Sequence, residues 1–191
     1  MAKLFGNLNL VLIVGLVLAI IVMLVFAQDA PVDVNSVFRW LHVFFGILWI
    51  GLLYYFNFVQ VPLMPAIPAE MKGAVTGHIA PKALFYFRHA ALLTVITGLV
   101  IAFVNGYAVR ALTFSGATPH ENLIGLGVWL ALIMAFNVWF IIWPAQKQIL
   151  GIVEATPEAK AAATPRALIA SRANTLLSIP MLYCMVSANL G

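Results

Sequence analysis

Four residues within "RWLHVFFGILWIG" (39–51) have the types and the spacing to do chemistry. His42, Gly46 and Trp49 stand at i, i+4 and i+7, so a helix presents them on one face. A glycine one turn from a histidine leaves a flat gap beside the imidazole. A planar macrocycle such as haem b can lie there, with a neutral imidazole nitrogen on its iron. Arg39, about one turn nearer the helix start, can pair with a haem propionate at headgroup level. The same pattern also suits an interfacial histidine bonded to a neighbouring backbone, with Gly46 as a helix-packing contact.

The elements that must position these residues are membrane helices. Hydrophobic residues make up 64% of the 191 and charged residues only 8%, against about 25% charged in a soluble chain. The lipid bilayer is therefore the solvent. The formal charge of +4 belongs to topology and headgroup contact rather than to nucleic acid. The one cysteine, Cys184, excludes an internal disulfide, a Cys-rich zinc site and a CxxCH haem attachment.

Apolar runs of about 20 residues predict an all-α bundle of about five transmembrane helices, over 8–27, 37–61, 83–104, 123–143 and 167–190. Residues 1–35 form a first helix and its outer loop, and 36–191 a four-helix membrane domain. The first run is too long for a signal-peptide core and only Lys3 precedes it, which favours a retained helix over a cleaved one. Lys3, Lys72, Lys82, Lys147, Lys160 and Arg166 fall on one side, with Arg88 and Arg172 just inside it. The other side has Arg39, Arg110 and the Asp29/Asp33 pair. The positive-inside rule then puts the N-terminus in the cytoplasm and the C-terminus outside, in a bacterial inner membrane if the source is bacterial. The prolines and glycines of 62–82 argue against a long regular helix there, though a short interfacial piece near 69–75 fits. In "TPHEN" and "TPRAL", Thr followed by Pro is a helix start, so Pro119 is expected to open the fourth helix and Pro165 the fifth.

Ionisable groups inside the bilayer are costly and mark function. Besides His42 and Arg39 these are Arg88, His89 and Arg172, with Asn137, Asn57, Thr94, Thr97, Asn174, Thr175 and Ser178 adding uncharged polarity. At about 1.5 Å per residue, His42 and His89 lie roughly 13 Å apart in depth across a core of about 30 Å. Depth instead pairs His42 with His120, and His78 with His89, which allows one haem in either leaflet or two stacked. Arg172 faces the interior, snorkels to the surface, or helps hold an anion. Asn137 is too deep to snorkel and is expected to hydrogen-bond across helices.

The blocks "RWLHVFFGILWIGLLYYFNFVQVPLMP", "IAPKALFYFRHAALLTVITGL", "NVWFIIWPAQK" and "SRANTLLSIPMLY" resemble the membrane domain of the bacterial urate hydroxylase family, the urate oxidase N-terminal domain. His42, Gly46, Trp49, Arg88, Asn137 with Trp139, and Asn174 match that family's pattern. The chain is also similar, less closely, to the haem-binding protoporphyrinogen oxidase family. The resemblance implies an oxidoreductase that oxidises urate and hands electrons to a cytochrome c, which in the family is a C-terminal domain. With no CxxCH in this chain, a separate cytochrome c or quinone acceptor is expected. Iron is then held by His42, with His89 as a metal-ligand or substrate-side group. Arg39, Gly46 and Trp49 surround the cofactor, and Arg88, Arg172 and Asn137 are the candidate catalytic residues. A non-catalytic accessory subunit of a larger membrane complex is the alternative. Self-association or a partner is expected in either case.

Overall fold

The structure, a computed structural model, describes residues 2–27 and 32–188, so Asp29 and the end of the fifth expected span lie outside the described residues. Every regular element among them is helical. The chain divides into two units, Met1–Val37 and Phe38–Gly191.

In the first unit a single turn, Ala2–Phe5, precedes helix α1, Leu8–Val25. Asn7 caps α1 by accepting from the Leu10 N–H at 3.3 Å. None of the residues of α1 is buried. A helix that is apolar on all sides and covered on none takes lipid as its solvent. Asp33 then caps the next helix reciprocally with Ser36. The Ser36 N–H donates to Asp33 Oδ1 at 2.7 Å and the Asp33 N–H to Ser36 Oγ at 3.0 Å, so two orphan donors at the helix start are satisfied.

The second unit is built from α2 (Val34–Leu63, begun in the first unit), α3 (Ala69–Val104), the short α4 (Ala108–Leu112), α5 (Pro119–Ile149) and α6 (Pro157–Ser187). Among the described residues, four helices, α1, α2, α3 and α5, are long and apolar enough to cross a membrane. The 31-residue α6 has the length but is not among the four. Arg172, Asn174, Thr175 and Ser178 dilute its apolar run. The chain is an all-helical integral membrane protein.

Helix ends depart from expectation at three prolines. Helices usually stop before proline, because the ring lacks an N–H and collides with the carbonyl four residues back. Here α2, α3 and α5 run through Pro62, Pro81 and Pro144. Each proline is approached by a π-helical segment: Tyr55–Gln60, Val75–Ile79 and Asn137–Ile142. The residue before each proline donates five residues back, as Val61 N–H to Phe56 O, Ala80 N–H to Val75 O and Trp143 N–H to Val138 O. The wider turn gives the ring room, so the helix continues. The expected loop over 62–82 is therefore mostly the first part of α3. Likewise α6 opens at Pro157 rather than Pro165, because Thr156 Oγ1 already accepts from the Ala159 N–H at 3.2 Å. Pro119 opens α5 as expected, with Thr118 Oγ1 accepting from the Glu121 N–H at 3.3 Å.

The core is apolar but seamed with polar side chains. Trp49, Leu53, Phe87, Met134 and Val138 are fully buried, and so are Asn174 and Ser178 of α6. Asn137 Nδ2 donates to Asn174 Oδ1 at 2.9 Å, and Asn174 Nδ2 to the Met134 carbonyl at 2.9 Å, where the α5 ladder changes step. Asn57 Nδ2 reaches Ser171 Oγ at 2.8 Å, and Tyr54 Oη lies 3.0 Å from Ser178 Oγ. Asn137 thus bonds across helices as its depth requires. Replacing Asn174 by leucine strands the half-buried Asn137 amide and loses the bond to the Met134 carbonyl, at a cost of about 1–2 kcal/mol. Unfolding in detergent checks this, and wild-type stability in Asn174→Leu contradicts it.

Candidate functional site

His42 is fixed by α3, through a packing contact and a hydrogen bond. Its Nδ1 lies 2.8 Å from the Thr94 carbonyl and 3.2 Å from Thr97 Oγ1. A carbonyl can only accept, so Nδ1 carries the proton and donates. The Thr97 hydroxyl itself donates to the Leu93 carbonyl at 2.7 Å, which leaves its oxygen as a second acceptor. The neutral imidazole therefore keeps its lone pair on Nε2, the tautomer a metal needs. Gly98 makes the approach possible: a Cβ there would stand 2.8 Å from His42 Cε1.

The imidazole lines an apolar cavity of about 650 Å³ among α2, α3, α5 and α6. Arg39, Gly46 and Trp49 line it too, so all four residues of the 39–51 segment share one site. Gly46 is not a tight packing contact. A Cβ there would meet only Thr94 Cγ2, at the ordinary distance of 3.9 Å. Trp49 is fully buried, and its Nε1 has no acceptor among the described residues. A buried N–H left so costs about 1–3 kcal/mol unless something in the cavity accepts from it. Arg39 is exposed, and Tyr107 lines the cavity with it. Burial pushes the Tyr107 phenol up, and the Arg39 charge pulls it the other way.

The other candidates lie off this cavity. His89 is half-buried, with Nδ1 2.7 Å from the Phe85 carbonyl of its own helix and its ring 5.7 Å from that of Trp139. His78 and His120 are exposed, and none of the three lines the cavity. Arg88 is half-buried, its guanidinium 3.8 Å from the Trp143 ring centre, and Trp139 Nε1 donates to its carbonyl at 3.0 Å. Arg172 is exposed, which suits a side chain reaching the membrane surface. Asn137 belongs to the polar seam with Asn174.

Thr94, Gly98, Tyr107, Met181 and Met185 complete the cavity's polar, close-packed and sulfur-bearing wall, and Thr97 backs the His42 imidazole. A sequence signal for three of them exists. "TVITG" (94–98) puts two hydroxyls and a glycine within a turn and a half of an apolar helix, where a partner must approach closely.

Known proteins supply one further finding. The family described as "Urate oxidase N-terminal" matches residues 89–191, more than half of the chain. No curated protein and no solved structure matches the chain.

Proposed function

The chain belongs to the urate oxidase N-terminal family, and from that premise we propose that it is a membrane-embedded b-type haem redox protein passing electrons to a separate acceptor. One observation carries the proposal: the His42 imidazole, locked with Nε2 as its lone-pair nitrogen, lines an apolar cavity of about 650 Å³. That volume is in the range of cofactor pockets.

The residues present fit haem better than a bare metal ion. Among the described residues no three His, Cys, Asp or Glu side chains converge to hold an ion by themselves. A porphyrin brings its own four nitrogens and asks the protein for only one or two ligands. Gly46 gives flat space beside the ring, and Arg39 supplies a cation for a propionate. When bound, the haem supplies one-electron chemistry. The chain's part is to hold the imidazole at one level, exclude water with the apolar walls, and offer the Trp49 N–H to an acceptor on the occupant. Thr94 and Thr97, behind the imidazole, raise its basicity and fix its plane.

The family points to urate as the compound oxidised. Urate is an anion at neutral pH, and Arg88, clamped over Trp143, is the half-buried cation that an approaching purine anion can meet. Asn137, bonded to Asn174, holds α5 to α6 and so acts as a positioning residue, and Arg172 offers a second, exposed cation.

The test is an absorption spectrum of the protein purified in detergent, with pyridine haemochrome analysis. A Soret band and about one haem b per chain are expected. Their absence removes the redox proposal and leaves an accessory membrane subunit. With haem present, urate should reduce an added quinone or cytochrome c. Failure there discards urate and keeps the haem.

A further inference from the structure

We propose that Met185 supplies the second axial ligand, so that the iron is held by one imidazole and one thioether. The inference rests on the haem reading of the cavity.

The donors on the cavity wall are few. The side-chain atoms able to bind iron are the His42 imidazole, the Tyr107 phenol, and the thioethers of Met181 and Met185. The other three histidines lie elsewhere, so a second imidazole from the same chain does not face His42.

Depth along the helices chooses among the remaining three. His42 stands eight residues inside α2 from Val34, or about 12 Å at 1.5 Å per residue. Gly127 stands eight residues inside α5 from Pro119, again about 12 Å. Met185 packs on Gly127: a Cβ at that glycine would stand 3.3 Å from Met185 Cε and 3.6 Å from its sulfur. Both helices start from the end of the bundle where α3 finishes: His42 of α2 bonds to Thr94 and Thr97 in the last third of α3, and Glu121 in the first turn of α5 pairs with Arg110, just past the end of α3. His42 and Met185 are therefore at one level, on α2 and α6. Met181, one turn of α6 further in, is about 6 Å deeper. Tyr107 sits past the end of α3 with Arg39, towards the opposite extreme.

The chemistry agrees with the position. A thioether is neutral, so it brings no charge into the apolar cavity, and three rotatable bonds let its sulfur adjust to a planar ligand. A methionine opposite histidine raises the reduction potential of haem iron relative to a second histidine. That suits a centre that draws electrons from a substrate and releases them to another carrier.

The full chain in detergent, saturated with haem, tests the assignment by spectroscopy and redox titration. Wild-type protein is expected to show the far-red sulfur-to-iron charge-transfer band when oxidised. Met185→Leu should keep the Soret band, lose the far-red band and titrate at a lower potential. Met185→His should restore a six-coordinate low-spin spectrum of the two-histidine kind, and carries the test if the leucine variant fails to accumulate. Met71→Leu, at an exposed methionine of α3 outside the cavity, should leave both bands unchanged. A wild-type Soret band without the far-red feature overturns Met185 and spares His42, as does a far-red band that survives Met185→Leu. No Soret band in the wild type overturns the haem reading itself.

Discussion

His42→Ala is expected to abolish the Soret band of the purified protein while leaving its helical circular dichroism unchanged. The two readouts separate because the side chain does little for the fold. Its Nδ1 bonds are made to a backbone carbonyl and a hydroxyl already engaged within α3, so losing them costs about 1 kcal/mol. A bound iron, in contrast, has no other imidazole on the wall of this cavity. Free imidazole should enter the space the ring vacates and restore part of the band. That rescue is the signature of a missing ligand rather than a damaged fold. An unchanged spectrum in His42→Ala clears His42 of ligation and, with it, the proposed function.

The site was legible in part because its main residues share one short helix segment. His42, Gly46 and Trp49 needed only helical periodicity to be grouped, and α2 is regular from Val34 to Tyr54. The difference in depth between His42 and His89 followed from helix rise alone, and the structure keeps His89 off the cavity. What pairs with His42 across helices was not legible. Thr94, Thr97 and Gly98 lie more than 50 positions away, and no periodicity within one helix says which neighbour a face meets. The proline positions misled for a different reason. A proline ends a regular α-helix, but a π-turn before it removes the clash, and π-turns carry no composition signal of their own. Pro62, Pro81 and Pro144 therefore read as boundaries and are interior. Thr156 and Thr164 each precede a proline in the same way, and only the cap bond of Thr156 to Ala159 decides between them.

Gly98→Ala is expected to weaken haem retention by about 10–100-fold, the usual cost of disturbing a group that orients a metal ligand. The added methyl would stand 2.8 Å from His42 Cε1 and 3.1 Å from Nδ1, well inside the carbon contact distance of about 3.5–4.0 Å. The imidazole must retreat by more than half an ångström or so to restore that contact, and the 2.8 Å bond to the Thr94 carbonyl is stretched or lost. The nitrogen that faces the cofactor then leaves the level set for it, although no ligand atom has been removed. Overpacking also lowers stability by about 1–3 kcal/mol. Gly46→Ala is the control that separates the two effects. Its methyl meets only Thr94 Cγ2 at 3.9 Å, so the haem-free protein should keep its stability within about 0.5 kcal/mol. Any loss of binding in that variant comes from the cavity side alone. Titration of haem into each haem-free variant, beside its unfolding curve, reads both quantities. Wild-type affinity in Gly98→Ala would mean that the His42–Thr94 bond does not orient the ligand.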